Sequence, residues 1–150
     1  MTAGDTAVSR KAVQVDTEQV AAAILAGPDA IIAADRAGII TFWNAGAERV
    51  FGFTAAEAAG QSLDLIIPER LRDRHWQGWQ SVMATGRSRY GTGDLLRVPG
   101  QRQDGTRLSL EFAIHPVPGH DGALAGIAAT LRDVTSQFEE LRALRQRAAP

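Results

Sequence analysis

The chain has 150 residues, of which 45% are hydrophobic and 22% charged, and its formal net charge is −1 at pH 7. These values are ordinary for one soluble globular domain, and the balanced charge gives no sign of a nucleic-acid partner. There are no cysteines, which excludes disulfides, thiolate-bound zinc, iron–sulfur clusters and thiol catalysis. No apolar run is long enough for a membrane span, and the N-terminus lacks the apolar core of a signal peptide, so a cytoplasmic protein without a membrane partner is expected.

The first stretch of the chain predicts a loose arm followed by one short helix. Residues 1–15 are polar and mixed, which is typical of a flexible N-terminal arm. Asp16 can cap a helix, and Gly27-Pro28 ends it in the usual order for a helix C-terminus. Three apolar side chains of this helix are predicted to pack on one side: Val20, Ile24 and Leu25.

A β-hairpin and a short helix are predicted next. The β-rich runs 29–35 and 39–43 lie on either side of a turn that contains Gly38. Asn44 follows the second run and is a good N-cap for a helix over 45–51.

Two further helices are predicted before the second half of the sheet. Thr54 and Glu57 have the spacing of a capping box, so a short helix starts there. Pro68 is a natural first-turn residue for the longest helix, which is predicted over 69–85 and closed by Gly86.

The rest of the chain predicts three strands and a final helix. Ser136 and Glu139 are spaced as a capping box for that helix, and Asp133 stands just before it. The order β-β-α-α-α-β-β-β, with a helix at each end, predicts an α+β domain with an antiparallel sheet and its helices on one face. The domain, with its N-terminal cap helix, is expected over 16–133 and the C-terminal helix and tail over 134–150. The strands are predicted over 95–98, 107–114 and 124–132.

Five short motifs are spread along the chain: Asp35-x-x-Gly38, Phe42-Trp43-Asn44, Phe51-Gly52-Phe53, Asp104-Gly105 and Arg132-Asp133-Val134-Thr135. Over 22–142 this set resembles PAS domains. The resemblance implies a single PAS domain with a five-stranded antiparallel sheet, flanked by N- and C-terminal helices through which PAS domains commonly form homodimers. It leaves the ligand open, because PAS domains bind many ligands or none.

A second resemblance is narrower and falls on the longest predicted helix. The stretch from Ile67 to His75 is followed by Met83-Ala84-Thr85-Gly86. From Pro68 to Gly86 it resembles, without a gap, the central helix of the haem-binding PAS oxygen sensors, which include rhizobial oxygen-sensing kinases and bacterial direct oxygen sensors. This resemblance implies haem b as the cofactor and His75 as the axial ligand of its iron.

Helical spacing on its own places His75 in an otherwise apolar stripe. A neutral imidazole in such a stripe suits haem, and a flat ring lying against the helix would explain a glycine at position 78. The alternative is a partly buried structural histidine. The other two histidines are expected to be solvated: His115 points away from the apolar face of its strand, and His120 lies in a turn. The predicted stripe is Leu71, His75, Gly78, Trp79 and Val82.

The remaining residues of the implied haem pocket come from the resemblance and from strand alternation. Arg87 and Arg89 are placed to meet propionates, or form a solvated loop. Tyr90 packs on the porphyrin edge or hydrogen-bonds a ligand. Where the rhizobial sensors carry an arginine, this chain has Leu95 or Leu96, with Arg97 beside it. The predicted distal wall is Phe112, Ile114, Ile127, Ala129 and Leu131.

The sequence therefore favours a haem sensor of a diatomic gas, O2 first and CO or NO as alternatives, that signals to a separate output protein or within its own dimer. Met83 lies on the same helix as His75, so no strong sixth protein ligand and a five-coordinate ferrous iron are expected. A small haem enzyme that activates O2 or peroxide is one alternative, with Tyr90 or Arg97 as proton donor. A haem-free adaptor is another, and a flavin in place of haem stays open.

Overall fold

The computed structural model describes residues 13–88 and 95–150. Five helices, two 3₁₀ turns and five strands make up this part of the chain. In chain order they are α1 (Thr17–Leu25), β1 (Ala30–Asp35), β2 (Ile40–Trp43), α2 (Ala45–Phe51), α3 (Ala55–Ala58), the 3₁₀ turns Leu63–Ile66 and Glu69–Leu71, α4 (Arg72–Thr85), β3 (Leu96–Gln101), β4 (Arg107–Pro118), β5 (Leu124–Asp133) and α5 (Thr135–Ala148).

The five strands form one antiparallel sheet in the order β2-β1-β5-β4-β3. The last strand in the chain therefore lies at the centre, between the first strand and the fourth. Ile32 of β1 faces Ala129 of β5, and Leu131 of β5 faces Phe112 of β4. The predicted five-stranded α+β architecture is confirmed.

The core lies between the inner face of the sheet and the helices. Leu108 and Leu110 of β4 are buried, and Leu131 of β5 packs with them. Because side chains alternate across a strand, this burial confirms the predicted inner face of β4. Phe51 of α2 and Ile40 of β2 are the largest fully buried side chains.

Asn44 joins three segments at the start of α2. Its Oδ1 accepts from the backbone N–H of Ala47 at 2.9 Å, the predicted N-cap bond, and from that of Ile31 at 2.8 Å. Its Nδ2 donates to the carbonyl oxygens of Leu25 at 3.0 Å and Asp29 at 2.9 Å. The side chain is 6% exposed, so every polar atom of a buried amide is satisfied.

Three predicted element boundaries are corrected by the structure. The helix predicted over 69–85 starts as a 3₁₀ turn and becomes α-helical only at Arg72, because Leu71 has φ −104° and ψ −5°. β3 covers 96–101 rather than 95–98, because its partner β4 extends the pairing. β4 runs to Pro118 because β5 pairs with it through Leu124.

The start of α5 also differs from the prediction. The helix begins at Thr135, and Val134 at the N-cap makes no side-chain cap bond, so the capping box at Ser136 and Glu139 is wrong. Asp133 instead accepts at Oδ1 from the N–H of Thr135 at 3.0 Å and from its hydroxyl. The Asp133 carboxylate thus bonds the first residue of α5 from the position that precedes the N-cap.

The two terminal helices contribute no buried residue. The Asp16 cap of α1 is confirmed, but the predicted packing of its apolar side is wrong. Val20 is 45% exposed and Ile24 is 58% exposed, while Leu25 is half-buried. In the part of the chain that the structure describes, no helix combines the length and apolar character that a membrane crossing needs.

Candidate functional site

Helix α4 carries the candidate ligand and packs one side against the core. Trp79 and Val82 are each 8% exposed, and His75 one turn earlier is half-buried. Leu71 is half-buried in the 3₁₀ turn that precedes the helix. Gly78 is exposed, and a Cβ added there would meet nothing within 4 Å. Its predicted place in the apolar stripe is therefore wrong, because the helix turns position 78 toward solvent.

His75 combines burial with an unused hydrogen-bonding atom. Its Nδ1 is buried and has no partner among the residues that the structure describes. Burial lowers the pKa of the imidazole below the ordinary value of about 6.5, and the nearby Asp64 carboxylate opposes that shift. The ring is therefore neutral at pH 7, and a neutral imidazole offers a lone pair to a metal.

Two indole rings surround this imidazole. The His75 and Trp76 ring centroids are 4.7 Å apart, nearly edge to face, and those of His75 and Trp79 are 6.0 Å apart. Trp76 donates its indole N–H to Asp64 Oδ1 at 2.8 Å, and Trp79 donates to the carbonyl oxygen of Arg36 at 2.9 Å. Both indoles therefore tie α4 to neighbouring loops, and they fill the space next to His75.

The predicted distal wall lies on the inner face of the sheet. Its side chains are buried or half-buried, and all belong to or pack against the hydrophobic core. Leu96 of β3 is half-buried and pairs with Phe112 in the ladder. The wall consists of Phe112, Ile114, Ile127, Ala129 and Leu131.

The residues predicted around the pocket in the stretch after α4 are not gathered there by the described part of the chain, apart from Leu96. Arg87 is exposed, and Arg89 and Tyr90 lie outside the described residues. Leu95 is 65% exposed. Arg97 is exposed and lies 3.9 Å from the Glu111 carboxylate.

The other two histidines are exposed, as predicted. His115 has its Nε2 3.3 Å from Thr130 Oγ1 on the adjacent strand. Within residues 13–88 and 95–150, no three histidine or carboxylate side chains are grouped as they would be around a bound metal ion. An axial haem ligand needs only one such side chain.

Sequence reasoning missed the pair formed by Trp76 and Asp64. The two residues are twelve positions apart and lie in different elements, Asp64 in the first 3₁₀ turn and Trp76 in α4. No spacing rule connects such positions, so the sequence carried no signal for the contact.

A five-stranded antiparallel sheet with short helices over one face and a helix at each end defines the fold class as α+β. A family model described as the PAS fold matches residues 26–139. The chain belongs to the PAS family.

Two curated relatives and one solved structure show where this chain stands in the family. Sensor protein FixL of Bradyrhizobium diazoefficiens is 37% identical over 87 residues, which is 58% of this chain and 17% of that protein. Oxygen sensor protein DosP of Escherichia coli is 25% identical over 107 residues, 71% of this chain and 13% of that protein. The PAS domain of a Colwellia psychrerythraea protein superposes with a TM-score of 0.68 at 23% identity, covering 79% of this chain and 97% of that one.

The chain thus spans less than a fifth of the length of these curated relatives. The structural likeness, at 23% identity, shows the fold alone.

Proposed function

We propose that this PAS domain binds haem b through His75 and senses a diatomic gas, with O2 as the first candidate. The observation that carries the proposal is the buried, unpartnered Nδ1 of an imidazole that burial keeps neutral. Relatives named as a sensor protein and an oxygen sensor protein support the same choice.

The donor set fits haem. His75 supplies a neutral nitrogen, and the walls formed by Val82, Phe112 and Leu131 supply the apolar surface that a porphyrin needs. When bound, haem supplies reversible binding of a diatomic gas at its iron.

The space beside His75 sets a condition on this proposal. Trp76 and Trp79 occupy it, so both indoles must be displaced before a macrocycle can lie against α4. The displacement gives up the bonds to Asp64 and Arg36. The same packing favours the second candidate function, a haem-free adaptor in which the aromatic cluster is part of the core.

A route from the pocket to the C-terminal helix runs along β5. Leu131 belongs to the predicted wall, and Asp133, two residues later, binds the first residue of α5. A shift of the wall would therefore change the position of the Asp133 carboxylate. This is a short path, because it stays within one strand and crosses no loop.

The terminal helices are the proposed dimer interface. They expose apolar side chains, and no residue of either helix is buried. Replacing Phe138 and Leu141 by Asp is expected to convert a dimer to a monomer in analytical ultracentrifugation. An unchanged mass would place the interface elsewhere.

The experiment that tests haem binding is an absorption spectrum of the purified chain with added haemin, oxidised and reduced, with and without carbon monoxide. The expected result is a Soret band that moves on adding carbon monoxide and is weakened or shifted in His75→Ala. His115→Ala is the matched control, because His115 is exposed on the opposite face of the sheet. The absence of a Soret band in the wild type, or an identical band in His75→Ala, would overturn the proposal and leave the adaptor.

A further inference from the structure

A cleft of about 410 Å³ opens beside the start of α4, and none of the described residues predicted for the haem pocket lines it. It lies between the first 3₁₀ turn, the start of α4 and the β3–β4 turn. Phe53 and Leu65 give it an apolar part, and the side chains of Arg72 and Arg102 give it two guanidinium groups. The cleft is open to solvent on one side, so it suits a small ligand that stays partly exposed.

The two guanidinium groups of this cleft offer hydrogen-bond donors to an anion that displaces their present carboxylate partners. Asp64 Oδ1 lies 4.0 Å from Arg72 Nε, and Asp133 Oδ2 lies 2.9 Å from a terminal nitrogen of Arg102. Arg72 is fixed by two backbone acceptors, its Nε donating to the Ile67 carbonyl oxygen at 3.0 Å and its NH2 group to that of Asp64 at 3.2 Å. A guanidinium has five N–H donors, so several remain for a ligand.

Of the two arginines in the cleft, Arg102 has a hydrogen-bond donor without a partner among the described residues. One of its terminal nitrogens donates to Asp133 Oδ2 at 2.9 Å, while its Nε is buried and has no partner among the described residues. The Arg102 side chain is 39% exposed, so a carboxylate in the cleft would bind the terminal nitrogens of the guanidinium, which can form two parallel bonds to one carboxylate.

Asp133 connects Arg102 to the C-terminal helix. Its other oxygen accepts from the N–H of Thr135, whose hydroxyl in turn accepts from the N–H of Ser109 on β4 at 3.0 Å. Arg102, Asp133 and Thr135 therefore form one chain of bonds from the cleft to the first residue of α5. A group that draws Arg102 away from Asp133 weakens this chain.

We propose that the cleft binds a small organic anion, with its apolar body against Phe53 and Leu65 and its carboxylate on Arg102. Binding then competes with Asp133 for the guanidinium and loosens the start of α5. Asp64 lines the cleft and also accepts from Trp76 beside His75, but no described residue of the predicted haem pocket lines the cleft, so the proposal does not depend on haem.

The three tryptophan indoles make a test that distinguishes the two sites. Trp43 donates its indole N–H to the carbonyl oxygen of Phe53 at 3.0 Å, and Trp76 donates to Asp64; Phe53 and Asp64 both line the cleft. Trp79 donates to Arg36, which does not. In ¹⁵N-correlated spectra of the full chain, titration with phenylacetate is expected to move the Trp43 and Trp76 indole signals and leave that of Trp79 in place.

A neutral analogue of phenylacetate tests whether binding requires the ligand's negative charge, and arginine variants test whether the ligand binds in the cleft. Phenylacetamide is expected to give no shift, and Arg102→Gln to weaken phenylacetate binding about tenfold or more, the effect of one charge-assisted hydrogen bond. Arg97→Gln, on an exposed arginine outside the cleft, is expected to bind as the wild type does. Asp133→Asn is expected to keep binding, while the Thr135 amide signal stops responding to the ligand.

Each contrary result overturns a stated part of the proposal. If the indole signals do not shift at the highest concentration at which phenylacetate dissolves, or if phenylacetamide shifts them equally, an anion site is excluded. Shifts at Trp76 and Trp79 without Trp43 would place the ligand beside His75 instead. A Thr135 response that persists in Asp133→Asn would break the link between the cleft and α5.

Discussion

The indole of Trp76 lies directly on Gly38, so that a Cβ added to Gly38 would overlap the outer edge of the ring. Gly38 is at φ +77° in the turn between β1 and β2. Asp35 closes this turn by accepting from the N–H groups of Ala37 at 2.9 Å and Ile39 at 3.1 Å. The predicted turn between β1 and β2 is thus also a surface against which Trp76 of α4 packs.

Gly38→Ala is expected to lower the free energy of unfolding by about 3 kcal/mol. Roughly 1 kcal/mol comes from the left-handed backbone, and about 2 kcal/mol from overpacking against Trp76. Gly122→Ala is the matched control, because Gly122 has φ +81° but nothing within 4 Å of an added Cβ. Urea unfolding measures both variants, and equal losses would show that the indole contact contributes nothing.

The pKa of His75 is expected to lie below about 6.5 in the folded protein, since desolvation is the largest influence on it. Asp64 raises that pKa, so Asp64→Asn is expected to lower it further. An NMR titration of the His75 ring protons measures both values. A rise in the variant would mean that the Asp64 charge does not act on the ring.

His75 also predicts how stability depends on pH. Because its folded pKa is depressed, the unfolded chain takes up the proton first, so stability is highest above about pH 6.5 and falls as the pH drops through the folded pKa. Between about pH 7 and pH 5, His75→Leu is therefore expected to lose less unfolding free energy than the wild type. The carboxyl groups of Asp104, Asp133 and Glu57 have lowered pKa values and titrate below this window. Parallel curves for the two proteins would contradict this assignment.

Asn44→Ala is expected to cost about 3 kcal/mol, because it removes four hydrogen bonds and leaves buried backbone groups without partners. Thr54→Ala is the comparison, since Thr54 caps the exposed start of α3, and its loss is expected to cost about 1 kcal/mol. Chemical denaturation of the two variants tests the ratio. A similar cost for both would mean that the contacts of Asn44 beyond the cap are dispensable.

Much of the fold could be predicted because the signals are local. The side chains of Asn44 and Thr54 cap the helices that follow them. Gly52 and Gly86, in the left-handed conformation, end α2 and α4. The inner face of β4 followed from alternation alone. Boundaries failed where pairing or a neighbouring loop decides them, as at the start of α4 and at the capping of α5.

The PAS architecture, the predicted apolar wall and the candidate ligand His75 follow from local signals, since capping, alternation and motif register act over a few residues. Three contacts instead require the folded core, because the partners are 12, 43 and 31 positions apart: Trp76 with Asp64, Trp79 with Arg36 and Arg102 with Asp133. Such contacts depend on the sheet order β2-β1-β5-β4-β3 and on how the helices pack across it. No local pattern encodes them, because they arise when burial of the whole core brings distant polar groups within bonding distance.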